Sequence, residues 1–85
     1  MNHPVQIAGW TPDEIGRRLA GLRYDALAEV LRSLSNTLVA DSVADNAAGR
    51  VQLGGHLFQL SEYVGLASAR ASRAWIIASK HGVHP

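Results

Sequence analysis

The chain contains no cysteine, so neither a disulfide nor a thiolate metal site contributes to its stability. It has no apolar stretch near the ~20 residues that a membrane-spanning helix needs. The most notable run, Ala74-Trp75-Ile76-Ile77-Ala78, belongs to the end of a helix. Its opening residues, MNHPVQIAGW, hold neither the basic region nor the apolar core of a secretory signal, and a cytoplasmic protein is the expectation. An excess of charge is also missing. A net charge of +1 and a pI of 8.3 are too close to neutral to imply nucleic acid or a membrane surface. No internal repeat or low-complexity tract is present.

Chemistry-bearing patterns are equally sparse. A nucleophile needs an activating base held by a third group, and no Gly-x-Ser-x-Gly element marks such a serine. Gly54-Gly55 lies inside a helical period and is not followed by the Lys-Ser or Lys-Thr of a phosphate-binding loop. Di-iron bundles use Glu-x-x-His motifs, and there are none. His81 and His84 are three apart on a tail, and His3 and His56 are isolated, whereas a helical zinc pair sits four apart with a third ligand near. The carboxylates are mostly accounted for by helix caps and i,i+4 partners. The sequence therefore assigns no catalytic residue, no metal and no cofactor, and the expectation is a protein that is not an enzyme.

What is present is helical periodicity. With 85 residues, 47% of them hydrophobic, the chain is one small domain. Domains near this size bury roughly 60% of their surface, so stability requires very regular helix packing or a second copy. The second half carries the row Leu53, Leu57, Leu60, Val64, Ala67, Ala71, Ala74 and Ala78, its intervals alternating four and three. That spacing predicts a helix packed along another helix, approached most closely at the alanine end. A second row, Tyr24, Leu27, Leu31, Leu34 and Leu38, has the same spacing. The expectation is that the two rows face each other.

The helices can be placed in order. Residues 1–10 lack periodicity and read as an extended arm; residues 11–80 form the helical domain, and 81–85 a frayed tail. Thr11-Pro12-Asp13-Glu14 is a helix start, with Thr11 as cap, Pro12 as first helical residue and Glu14 reaching back to the cap's N–H. Trp10 and Ile15 occupy the two positions of a hydrophobic staple. Asp13–Arg17 and Glu14–Arg18 are i,i+4 pairs in the favourable orientation. This first helix ends near Gly21. A second starts near Tyr24, the chain reverses within residues 41–50, and a third runs to about Ser79. Glycines 54, 55 and 65 inside the third helix each cost about 1 kcal/mol relative to alanine. They mark either a close backbone approach or a break.

Two groups near the C-terminus stand out. Trp75, Ile76 and Ile77 are consecutive and span most of a helix circumference, so a single seam cannot bury them all. They are the candidate association residues, with a second subunit as the expected cover, against a first helix folded back over them. Residues 1–64 hold five Arg and all seven acids, whereas residues 65–85 hold Arg70, Arg73 and Lys80 with no acid. Arg70 and Arg73 are the candidates for contact with an acidic partner protein or a phosphate backbone.

Residues 57–76, LFQLSEYVGLASARASRAWI, resemble the helix-turn-helix of bacterial regulators. Ser61 stands at the small position of the first helix, Gly65 at the turn, and Val64 and Leu66 on either side of it. The resemblance implies a recognition helix opening at Ser68, with Arg70 and Arg73 directed at DNA. Ala71 and Ala74 depart from the larger aliphatic residues usual there, and the alternation of four and three runs on through Gly65. The expected architecture is all-α: a short capped helix followed by a long antiparallel helical hairpin, forming a helix bundle as a homodimer. The expected function is that of a small non-catalytic interaction protein (adaptor, scaffold or regulatory subunit), with DNA-binding regulation as the alternative. The backbone at Gly65 separates the two.

Overall fold

The computed structural model describes residues 9–82. They form three helices and no strand: α1 (Pro12–Ala20), α2 (Tyr24–Ala47) and α3 (Val51–His81). Most of the expected N-terminal arm and residues 83–85 of the expected tail lie outside the described residues; His81 still belongs to α3. The fold is the expected short capped helix followed by a long antiparallel hairpin. Among the described residues, α2 against α3 is the one extensive helix–helix contact.

Helix α1 begins as its residues dictate. The Glu14 backbone N–H donates to Thr11 Oγ1 at 3.3 Å, and Pro12 occupies the first turn. The Glu14 side chain departs from the expected reach to the cap's N–H: its Oε1 accepts from the Thr11 hydroxyl at 3.1 Å. The expected Asp13–Arg17 and Glu14–Arg18 pairs are not among the ion pairs of the described residues, which are Arg23–Asp25 and Arg50–Asp45. Arg18 instead lies over the Trp10 ring, 4.2 Å from its centroid. An indole face holds a cation in a way that water does not screen as fully as it screens an exposed ion pair.

The reversal occupies residues 48–50. Gly49 takes φ +87°, the left-handed conformation that glycine adopts without steric cost. The Arg50 N–H donates to the Asp45 carbonyl and the Gly49 N–H to the Asn46 carbonyl, which is the Schellman pattern that satisfies the last carbonyls of α2. A 2.7 Å ion pair from Arg50 to Asp45 closes the same turn.

The contact between α2 and α3 differs from the one expected. The side chains at its centre are small: Ala28, Ser35 and Ser42 on α2, Gly54, Ser61 and Ser68 on α3. Three hydrogen bonds cross it. Ser42 Oγ donates to the Gly54 carbonyl at 2.6 Å, Ser35 Oγ to the Ser61 carbonyl at 2.7 Å, and Ser68 Oγ to the Ala28 carbonyl at 2.8 Å. Each step of seven back along α2 matches a step of seven forward along α3, so the antiparallel register is fixed at three levels. A serine hydroxyl reaches a carbonyl across the gap only where the axes come close, at the short end of the roughly 8–10 Å range. The leucine rows therefore do not face each other. Leu57, Val64, Ala71 and Ala78 lie along one edge of the contact, whereas Leu53, Leu60 and Ala67 are turned out and exposed.

Two outcomes are expected from this packing. A Cβ added at Gly65 would sit 3.5 Å from Ser35 Oγ, an ordinary contact, so Gly65→Ala should stabilise the helix by up to ~1 kcal/mol. A lowered melting temperature for this variant would contradict a straight helix there. Thr11→Ala should cost α1 ~1 kcal/mol, read as faster amide exchange at Glu14; unchanged exchange would contradict the cap.

Candidate self-association surface

The register of the hairpin brings the two leucine rows together in a different way. On α3 the row Leu53–Leu57–Leu60–Val64 lies to one side of the small residues. On α2 the row Tyr24–Leu27–Leu31–Leu34–Leu38 lies to one side of its own. In an antiparallel pair with this register the two displacements have the same sense, so both rows end on one face of the hairpin. A shallow trough lined by Tyr24, Ala74, Ile77, Ala78 and His81 shows the two rows meeting on this face. On the opposite face, Asp25, Glu29, Arg32, Ser72 and Ile76 line a second depression. The hairpin thus has a leucine face and a second face that is polar at the open end, around Asp25, Glu29 and Arg32, and that also carries the exposed Val51, Phe58 and Ile76.

The leucine face has no cover among the described residues. Leu34 and Leu60 are each 46% exposed, Leu53 48% and Ile77 56%. The buried hydrophobic residues are three alanines: Ala28, Ala71 and Ala78. Their burial contributes little, because stabilisation scales with apolar area removed from water, at roughly 25 cal/mol per Å². The molecule measures 49 × 28 × 13 Å, and its shortest dimension is close to one helix diameter of roughly 10–12 Å. Domains are normally two or more layers thick around a core; this hairpin is a single layer.

The three consecutive residues Trp75, Ile76 and Ile77 are not brought together on one surface. Trp75 continues the small-residue line of α3 one heptad beyond Ser68, where the register places it opposite the α1–α2 turn. There it is half-buried, with Arg23 over its ring at 4.9 Å. Arg23 also forms a two-pronged pair with Asp25, at 3.0 and 2.7 Å. This hydrogen bond, ahead of all other influences, holds the Asp25 carboxyl below its ordinary pKa. The folded value lies below the unfolded one, so the pair's contribution is present above about pH 4 and is lost on acidification through the folded value. Ile76 faces the polar side of the hairpin and Ile77 the leucine side.

Arg70 and Arg73 are exposed on α3, as is Lys80. The helix is continuous through Gly65, and the glycines with positive φ are at 9, 49 and 82. The two-helix geometry implied by the helix-turn-helix resemblance over residues 57–76 is therefore not formed, and Ser68 opens no recognition helix. It lies mid-helix, buried, with its hydroxyl on α2. The physical reason is the packing: Ser61, Gly65 and Ser68 all lie against α2, so the small residues that resemble a turn serve close helix approach instead. Among the described residues no group of three His, Asp or Glu is placed to hold a metal.

Residues that sequence periodicity missed as structural elements are Ser35, Ser42, Gly54, Ser61 and Ser68. Their signal was available: both helices carry small residues at intervals of seven, Ala28, Ser35 and Ser42 on α2 and Gly54, Ser61 and Ser68 on α3. No protein-family model, no curated protein and no solved structure matches the chain.

Proposed function

We propose that this chain is a small non-catalytic helical interaction protein, such as an adaptor, scaffold or regulatory subunit, that works as a homodimer through the leucine face of its hairpin. One observation carries the reading: every buried hydrophobic residue among the described ones is an alanine, while two rows of leucines lie side by side on an open face. Contiguous apolar surface of this extent marks an interaction site. Arg70 and Arg73, exposed and without nearby acids on their helix, are the residues offered to a polar partner. The proposal takes the protein to be cytoplasmic. No helix among the described residues is long and apolar enough to cross a membrane.

Sedimentation equilibrium at micromolar concentration tests the reading. The expected mass is near twice 9.1 kDa. Ile77→Glu and Leu34→Glu should each weaken association by tenfold or more, because each would place a carboxylate in the apolar contact. Ile76→Glu, on the other face, should change it far less. A monomer at all concentrations with unchanged helix content would overturn the proposal.

A further inference from the structure

The geometry points to one arrangement of the second copy: two hairpins pack leucine face to leucine face with their loops at opposite ends, and Leu53 of each seats in the trough at the open end of the other. This inference rests on the reading of that face as a self-association surface, and adds the orientation and the contacts that specify it.

Two features favour it. The first is the distribution of size along α3. The row carries its large residues at the loop end and its alanines at the open end, with intervals that read the same in both directions. Laid antiparallel on itself, it sets Leu53 against the partner's Ala78, Leu57 against the partner's Ala74, Leu60 against the partner's Ala71, and Val64 against the partner's Ala67. Every large residue meets a small one, the alternation that lets facing layers interdigitate. The trough lined by Tyr24, Ala74, Ile77, Ala78 and His81 lies at the alanine end, and Leu53 is half-exposed at the loop end, so knob and hole exist on the same molecule. With loops at the same end, trough would face trough while leucines crowded the other end.

The second feature is that the midpoints coincide. The α3 row is centred between Gly65 and Leu66, and the α2 row at Leu31. The Ser35–Ser61 and Ser68–Ala28 bridges place Leu31 level with Gly65. One two-fold axis across the hairpin therefore serves both rows, and Leu31 meets the partner's Leu31. A closed, isologous dimer requires this self-complementarity.

Because the chain has no cysteine, a single Ala48→Cys at the exposed loop carries one nitroxide label per copy, and electron-electron dipolar spectroscopy reads the distance between them. Ala48 is 17 residues along the register from the axis, so opposed loops place the labels about 50 Å apart at 1.5 Å per residue. That distance is the expected result. A dimer with labels closer than about 25 Å would overturn the orientation and leave self-association intact. A monomer by sedimentation, with no dipolar coupling, would overturn both. Leu53→Ala should raise the dimer dissociation constant at least tenfold, and Phe58→Ala, on the other face, less than threefold; equal effects would contradict the seating of Leu53.

Discussion

The close contact of α2 with α3 through serine, glycine and alanine is the constraint on which the rest of the structure depends. Three serine hydroxyls bond carbonyls of the facing helix at seven-residue intervals, and Ser42, Ser61 and Ser68 are almost wholly buried. A buried hydroxyl without a partner would cost on the order of 1–3 kcal/mol; among the described residues no buried side-chain polar atom lacks one. At Gly54 an added Cβ would lie 2.7 Å from Asn46 Cγ, so the Asn46 side chain would have to turn aside to admit it. Directional bonds, rather than apolar area, thus set the register of the hairpin.

That choice has a consequence for everything apolar. A seam of small side chains leaves the leucines at its margins, and one sense of displacement in both helices puts them on a common face. Each half-exposed leucine stands to gain on the order of 1 kcal/mol from completed burial. Among the described residues, one layer of helices offers nothing to complete it. The same layer, doubled, has an interior of ordinary thickness for a four-helix bundle. The polar seam makes a hairpin with a defined shape, and the exposed rows are the surface that the proposed homodimer would cover.

Helix starts, the reversal and the two rows were legible in the sequence because each has a local cause. Thr11-Pro12 caps α1, Gly49 supplies the left-handed turn, and the three-four spacing survives even through Ser33–Thr37, where helix propensity is weak. The side on which the helices touch was not legible from the leucines. Periodicity fixes the angle between residues on one helix but leaves open which line faces the neighbour, and leucine is the usual choice for such a line. Here the line one residue away, Gly54–Ser61–Ser68, wins because it permits close approach and cross-helix bonding. The same small residues gave residues 57–76 their likeness to a turn. For Trp75, Ile76 and Ile77, adjacency in sequence signals only that one seam cannot bury them all. Their distribution over the seam and both faces follows only once the register is known.

The central claim is that the leucine face is stable only when covered by a second copy. Its most direct test is the dependence of thermal unfolding, followed by helical circular dichroism, on protein concentration. A native state that exists as a dimer is stabilised by mass action, so the account predicts a midpoint that rises steadily as concentration increases from the low-micromolar to the millimolar range. A cooperative transition whose midpoint stays constant over that range would contradict it.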